Sequence, residues 1–122
     1  SLNTILAIFI GGGIGSLVRF AIGRLTASFL STAFPLGTLL SNVISCLVLA
    51  LAIGFFSDKI ISNSTLRFFV LTGFCGGFST FSTFSYDTID LMRSGNFTFA
   101  ILNIVVNIVA CFGVIFFLTK SN

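Results

Sequence analysis

The stretch GFCGGFSTFSTFS, residues 73–85, places polar and helix-weakening residues in the middle of a long apolar segment. Five hydroxyl side chains and three glycines fall within its thirteen positions, and the apolar segment around it runs from about Leu66 to Leu91. Glycine lowers helix stability, and Ser and Thr side chains compete for the backbone hydrogen bonds of a helix. We therefore predict a helix that is broken near its middle.

Three further apolar segments are visible, namely Leu2 to Ile22, Leu36 to Phe56 and Phe97 to Leu118. Each is close to the roughly 20 residues that a helix needs to cross about 30 Å of hydrocarbon. Charged residues make up 7% of the chain and mean hydropathy is +1.16, whereas a soluble domain carries about 25% charged residues. We predict that residues 1–122 form a single all-α domain in membrane lipid, with four transmembrane helices and the third helix broken mid-span.

The positive charges are balanced between the two sides of such a domain. With four spans, both termini and the loop between the second and third spans face the same side. That side carries Lys59, Arg67 and Lys120, and the other side carries Arg19, Arg24 and Arg93. Orientation normally follows an excess of Lys and Arg in cytoplasmic loops. The balance therefore predicts insertion in both orientations, although so few charges also balance by chance.

Size favours an assembly of two copies. Four short helices enclose a protected polar path less easily than eight, and a closed two-fold dimer is the commonest oligomer. Together with the charge balance, this predicts an antiparallel dual-topology dimer of identical chains.

Several function classes are excluded by composition. The net charge of +3 comes from scattered cations without a basic cluster, which argues against a nucleic-acid partner. The chain has no His, and we find no nucleophile–base pair, so we do not expect an enzyme. Cys46, Cys75 and Cys111 show no CxxC spacing and are interpreted as small apolar packing residues.

Polar residues inside the spans are the best candidates for function, because they are costly in lipid. In the first span, Gly11 and Gly15 form a small-xxx-small face for close helix contact. Arg19, one turn further on, has two open interpretations: it extends to the membrane interface, or it draws anions into a wet vestibule. In the second span, Asn42 and Ser45 share a helix face.

The fourth span carries Asn103, Asn107 and Cys111 on one face. For these asparagines, as for Asn42, two interpretations stay open: glue between helices, or a track of hydrogen-bond donors for an anion. In the third span, Phe81 and Phe84 point the same way among hydroxyl residues. Ordinary packing accounts for two phenylalanines, but their ring edges carry partial positive charge and can also contact an anion.

Four motifs together resemble the Fluc (CrcB) family of fluoride channels, in the right order and over nearly the whole chain. They are FIGGGIGSLVRF (residues 9–20), PLGTLLSNVIS (35–45), GFCGGFSTFSTFS (73–85) and LNIVVNIVACF (102–112). The third motif is highly specific. The resemblance implies a dual-topology dimer with two pores, in the inner (plasma) membrane of a bacterial cell, that exports fluoride passively and gives fluoride resistance.

The resemblance also assigns roles to residues. Asn42 is similar to the pore asparagine of the family, Phe81 and Phe84 to the phenylalanines that contact fluoride, and Arg19 to a vestibule arginine. Asn103 and Asn107 match the polar face of the last helix. The carbonyls of Gly76 and Ser79 would hold a structural Na⁺ at the dimer interface, together with those of the partner subunit.

Three positions depart from the family pattern: Ser79 where Thr is usual, Ser45 where Gly is usual, and Asp87 where Glu is usual. The hydroxyls of Ser82 and Thr83 would add weak donors along the pore. A rival interpretation is a small proton-coupled antiporter, which needs a carboxylate deep in the membrane; the first span has none. A structural membrane protein is the third alternative.

Overall fold

The computed structural model describes residues 1–55 and 62–120, and the regular elements within these ranges are all helices. Four helices in this part of the chain are long and apolar enough to cross a membrane. They are α1 (Leu2–Phe29), α2 (Leu36–Phe55), α3 (Ser64–Arg93, interrupted) and α4 (Phe97–Thr119). The predicted spans and their order are therefore confirmed.

The first helix is longer than the hydropathy pattern predicts. We expected it to end near Ile22, but α1 continues to Phe29. Hydropathy falls at Arg24, yet no glycine or proline follows until Pro35, so nothing interrupts the backbone ladder. Within the added turns, the Thr26 hydroxyl donates to the Ile22 carbonyl oxygen at 2.6 Å.

The other predicted boundaries differ by one or two residues. α3 begins at Ser64 and ends at Arg93, and α4 ends at Thr119. The predicted end of the second span, Phe56, lies outside the described residues, as does Lys59 in the loop that follows.

The third span is interrupted at Ser79 and Thr80, inside the stretch for which a break is predicted. Both residues have an extended backbone, with φ and ψ of −90° and 154° at Ser79 and −150° and 124° at Thr80. Thr80 caps the second half, Phe81–Arg93, because its side-chain oxygen accepts from the Thr83 N–H at 3.3 Å. The first half contains a π-helical segment, Phe68–Cys75, which the sequence pattern did not indicate.

Glycines allow α1 and α3 to pack with their backbones almost in contact. A Cβ atom added at Gly11 would stand 2.5 Å from the Phe69 carbonyl oxygen, and one added at Gly15 would overlap the Phe74 carbonyl oxygen. This confirms the small-residue face predicted on α1. The contacts advance along both helices in the same direction, so α1 and α3 are parallel.

The second and fourth helices are also parallel, and they share one register. The Phe34 ring, just before α2, meets the Phe99 ring of α4 edge-on, with 5.5 Å between centroids. Further along, the Asn42 side chain of α2 donates to the Asn107 side chain of α4 at 3.1 Å. The partners in both pairs are 65 positions apart in the chain. Each turn of α2 therefore lies beside the corresponding turn of α4.

Large apolar side chains cover the outside of the four helices. Phe9, Phe81 and Phe112 are 77%, 79% and 71% exposed, respectively. In the most apolar 18-residue stretch of each span, at most 22% is buried inside the chain. Such a surface is unfavourable in water, at about 25 cal/mol per Å² of apolar area, and carries no such cost in lipid. The chain is therefore a multi-pass membrane protein.

Candidate functional site

The break in α3 borders a cavity of about 240 Å³ between α2, α4 and the break itself. Four of the predicted pore residues lie in its wall, namely Asn42, Phe81, Phe84 and Asn107. The rest of the wall comprises Ser79, Thr80, Cys46, Ile108, Cys111 and Phe112. The tertiary structure thus brings together polar residues from three helices at mid-span.

Asn42 connects the broken helix to α4. Its side-chain oxygen accepts from the Thr80 N–H at 3.2 Å, and its amide nitrogen donates to the Asn107 side-chain oxygen at 3.1 Å. The N–H of Thr80 loses its helical acceptor at the break, and a buried N–H without a partner is costly in lipid. Asn42 therefore satisfies a backbone donor that the break exposes. The sequence indicated Asn42 but not Thr80 as its partner.

A chain of hydrogen bonds continues from Asn42 through α4. Asn107 donates to the side-chain oxygen of Asn103 at 2.9 Å and to its carbonyl at 2.7 Å. Asn103 donates in turn to the Thr88 hydroxyl at 2.9 Å, and Thr88 donates to the Phe84 carbonyl at 2.9 Å. We call the side chains of Asn42, Asn107, Asn103 and Thr88 the amide relay. It joins α2, α4 and the second half of α3.

Asn103 stands apart from the other predicted pore residues. It is 0% exposed and lies behind Asn107 rather than in the wall of the 240 Å³ cavity. Its donor role toward a passing ion stays a prediction, while its contacts with Thr88 and Asn107 fit the alternative role of helix glue. The sequence did not indicate Thr88, because a single Thr on a polar half-helix carries no distinguishing signal.

Phe81 and Phe84 form a pair at the cavity wall. Their ring centroids are 5.6 Å apart and their planes are tilted by 47°. Phe81 is 79% exposed, whereas Phe84 is half-buried. The i, i+3 spacing predicted that these rings share a face, and the structure agrees.

Ser82 and Thr83 occupy different places. Ser82 is exposed, and its hydroxyl lies 2.9 Å from the Thr80 hydroxyl at the start of the second half of α3. Thr83 lines a second cavity, of about 360 Å³, nearer the N-terminal end of α2. The two predicted hydroxyl donors therefore lie outside the wall of the first cavity.

The second cavity also contains Arg19, Thr38, Ser41 and Asp87 in its wall. Arg19 reaches inward, where its Nε donates to the Gly77 carbonyl oxygen at 3.3 Å. The Arg19 side chain is therefore held against α3, and its role as a vestibule residue stays a prediction. The wall of this cavity holds cationic side chains, Arg19 and Arg24, together with the carboxylate of Asp87.

Thr38 and Asp87 contact each other in the wall of this second cavity. The Thr38 hydroxyl donates to the Asp87 carboxylate at 2.7 Å, which joins α2 to the second half of α3. Ser41 is 1% exposed, and within the described part of the chain its hydroxyl has no hydrogen-bond partner. Thr38 gave no sequence signal, because its partner is 49 positions away.

Ser45 lies away from both cavities, although it shares the polar side of α2 with Asn42. It is 3% exposed and donates to the Cys75 carbonyl oxygen at 3.1 Å. The Cys75 thiol donates back to the Ser45 carbonyl oxygen at 3.7 Å. The bulk of Ser45 is thus accommodated between α2 and α3, at a distance from the site walls.

Gly76 and Ser79 lie at the end of the first half of α3. Gly76 is exposed, with nothing within 4 Å of the place where a Cβ would stand, and Ser79 leaves the helix with an extended backbone. The neighbouring carbonyls of Cys75 and Gly77 accept hydrogen bonds from Ser45 and Arg19. Among the described residues, no cluster of three His, Cys, Asp or Glu side chains is placed to hold a metal ion.

The fold and the site define a class of protein: a multi-pass membrane protein whose broken third helix borders a polar cleft between parallel α2 and α4. The sequence profile described as "CrcB-like protein, Camphor Resistance (CrcB)" matches residues 6–118. The chain belongs to this family, as its four motifs indicated.

Similar proteins cover almost the whole chain. A protein of Pyrococcus abyssi named fluoride-specific ion channel FluC is 42% identical over 118 residues, which is 95% of this chain and 93% of that protein. Proteins with the same name from Serratia proteamaculans and Escherichia coli are 41% and 39% identical, over 88% and 91% of this chain and 84% and 87% of their own lengths. These relatives, from bacteria and an archaeon, are named as channels and not as enzymes.

Proposed function

We propose that this chain is a fluoride channel that lets the ion leave the cytoplasm passively and so gives fluoride resistance. The names of its relatives support fluoride as the transported ion. The position of Asn42 supports the path that the ion would take through the protein. Asn42 lies at the break in α3, beside the first cavity, and links the Thr80 N–H to the amide relay. That placement is the observation on which the proposal depends most.

The donors around Asn42 suit a small anion. The Thr80 N–H and the Asn42 amide each donate to a neutral oxygen in the structure. Hydrogen bonds to an ion are about twice as strong as those between neutral groups. A fluoride ion can therefore replace the Asn42 oxygen at the Thr80 N–H, or the Asn107 oxygen at the Asn42 amide. The edges of Phe81 and Phe84 supply further weak contacts.

Several weak sites in series allow an ion both to enter and to leave. The second cavity, with Arg19 in its wall, would admit the ion from one side, and the first cavity would continue the route past Asn42. A negative cell interior drives an anion outward by about 2.3 kcal/mol per charge per 100 mV. No energy-coupled pumping step is required.

We further propose that two chains pair in opposite orientations and form two pores. The equal numbers of Lys and Arg on the two sides support insertion both ways. The 79% exposure of Phe81 supports a partner surface, because a ring that contacts an ion in a pore must be covered by protein. The membrane would be the plasma membrane, from which fluoride leaves the cell.

We also propose that a Na⁺ ion lies at the dimer interface, at the end of the first half of α3. A hard cation prefers oxygen ligands, and backbone carbonyls supply them without charged side chains. The carbonyls of Gly76 and Ser79 would hold it, since Gly76 is open to the outside and Ser79 has left the helical ladder. The bound ion would join the two subunits and neutralise the carbonyl dipoles there.

Fluoride release from liposomes tests the proposal. Purified protein is placed in vesicles loaded with potassium fluoride, valinomycin is added to carry the counterion, and an ion electrode follows external fluoride. We expect rapid release of fluoride, no comparable release of chloride, and no obligatory movement of protons. Failure of a folded, reconstituted protein to release fluoride would overturn the channel, and proton-linked release would favour an antiporter instead.

A further inference from the structure

Two cysteines continue the shared register of α2 and α4. Cys46 lies four residues after Asn42, and Cys111 lies four residues after Asn107, so each follows its asparagine by one helical turn. The separation of 65 positions that joins Phe34 to Phe99 and Asn42 to Asn107 also joins Cys46 to Cys111. Parallel helices in register therefore place the two thiols side by side.

The side chains confirm this placement. Cys46 on α2 and Cys111 on α4 line the wall of the same cavity, and neither is in a disulfide. Both are partly exposed, and both line the 240 Å³ cavity next to Asn42. Cys75, by contrast, is 6% exposed and is paired with Ser45 away from that cavity.

Two adjacent thiols are a ligand set for a particular class of metal ion. Zinc takes four ligands in structural sites, and no third Cys, His or acidic side chain joins this pair among the described residues. Soft cations such as Cu(I), Ag(I) and Hg(II) prefer sulfur, and two sulfur ligands satisfy them in linear coordination. The pair thus selects soft, two-coordinate cations over hard ones.

We propose that Cys46 and Cys111 form a two-sulfur site for a soft, two-coordinate metal cation, and that the bound metal closes the cavity beside Asn42. Binding replaces the two S–H bonds by two metal–sulfur bonds and releases two protons to water, with no change of oxidation state. The metal site is inferred from the register of α2 and α4 and from the position of both cysteines in one cavity wall. Only its effect on ion flow rests on the proposed channel function.

Titration with Hg²⁺ tests the site without any flux measurement. The protein used is Cys75→Ala, which keeps Cys46 and Cys111 and has no other thiol. We expect one Hg²⁺ per chain, the loss of two free thiols per metal, and an ultraviolet band from sulfur-to-mercury charge transfer. A pair should hold the metal at least about 100-fold more tightly against a competing monothiol than a single thiol does.

The matched controls are Cys46→Ala and Cys111→Ala in the same Cys75→Ala background. Each keeps one thiol, so each should lose the tight binding and retain only weak, competitor-sensitive binding. The two-sulfur site would be overturned if Hg²⁺ bound to Cys75→Ala were removed by the monothiol as easily as Hg²⁺ bound to either control. A stoichiometry of one metal for two chains would overturn it as well, because it would show coordination between subunits.

Block of fluoride release tests the second half of the proposal. Hg²⁺ at one equivalent per chain should reduce release from Cys75→Ala vesicles at least about tenfold relative to metal-free vesicles, and an excess of dithiol should restore it. Each control is compared with its own metal-free rate. If the metal binds tightly and release continues unchanged, the closure is overturned; if metal-free protein releases no fluoride, the channel proposal fails while the titration still decides the site.

Discussion

At the level of single residues, Asn42 makes the contacts on which the candidate site depends most. It satisfies the Thr80 N–H that the break leaves without a helical partner, and it starts the amide relay into α4. Both bonds need the two different ends of an amide, an acceptor and a donor. Few other side chains can fill both roles at this position, which makes substitutions of Asn42 informative.

The first prediction concerns Asn42→Asp. A carboxylate still accepts from the Thr80 N–H, but it cannot donate to Asn107 and it adds a negative charge beside the cavity. We expect fluoride release from liposomes to be abolished, because the charge repels the ion. The control is Asn96→Asp, since the Asn96 oxygen caps α4 by accepting from the Phe99 N–H at 3.2 Å and Asp caps equally well. Undiminished release by Asn42→Asp would remove Asn42 from the route.

The second prediction concerns Phe81→Ile. This change removes an aromatic edge from the cavity wall and leaves the helix interior untouched, because Phe81 is 79% exposed. We expect release to slow by about tenfold or more while the elution volume of the protein stays unchanged. Phe9→Ile is the matched control, since Phe9 is 77% exposed on α1 and lines neither cavity. Equal rates of fluoride release for both variants would show that Phe81 is an ordinary packing residue.

At the level of helices, the contact between α1 and α3 holds the broken helix in place. Glycines on both helices bring the backbones together, and a Cβ added at Gly77 would overlap the Gly12 carbonyl oxygen. The same approach brings Arg19 within 3.3 Å of the Gly77 carbonyl. The position of the break relative to α2 and α4 therefore depends on close packing on the opposite side of α3.

The third prediction follows from this contact. Gly15→Ala should destabilise the protein by about 1–3 kcal/mol, because the added methyl group overlaps backbone that cannot move aside. Gly13→Ala is the control on the same helix: its Cβ meets nothing within 4 Å, so Ala should leave stability unchanged or raise it slightly. Thermal midpoints in detergent, followed by size-exclusion chromatography, measure both. A midpoint for Gly15→Ala equal to that of the parent protein would contradict the packing.

At the level of the whole molecule, several features of the site lie open on the outside of the described chain. Its polar cleft opens beside a highly exposed phenylalanine, and Gly76 faces outward at the end of a helix half. The charges that would fix its orientation are equally divided. These features share an explanation if a second copy, inserted the other way, covers the exposed site.

The fourth prediction tests that orientation. A reporter at the C-terminus should appear on both faces of the membrane, because three Lys and Arg residues on each side give no preference. Arg93→Gln removes one cation from one side and should shift the reporter toward the cytoplasm. Arg67→Gln removes one from the opposite side and should shift it outward. A reporter confined to one face in the parent protein would defeat dual topology.

Local pattern was sufficient for the spans, the glycine face of α1 and the break in α3. Hydropathy, helix propensity and residue spacing act within one helix, so the sequence carries them directly. The predicted end of α1 was wrong because hydropathy drops at Arg24, whereas the helix continues to Phe29.

Only the tertiary structure decided which polar residues meet. Asn42 joins Thr80 and Asn107, Thr38 joins Asp87, Ser45 is turned toward Cys75, and Cys46 lines the same cavity as Cys111. Partners separated by 30 to 65 positions depend on how the helices are rotated and shifted against one another. Packing sets that rotation and shift through the combined shape of all four helices, and the pattern of a single helix does not contain it.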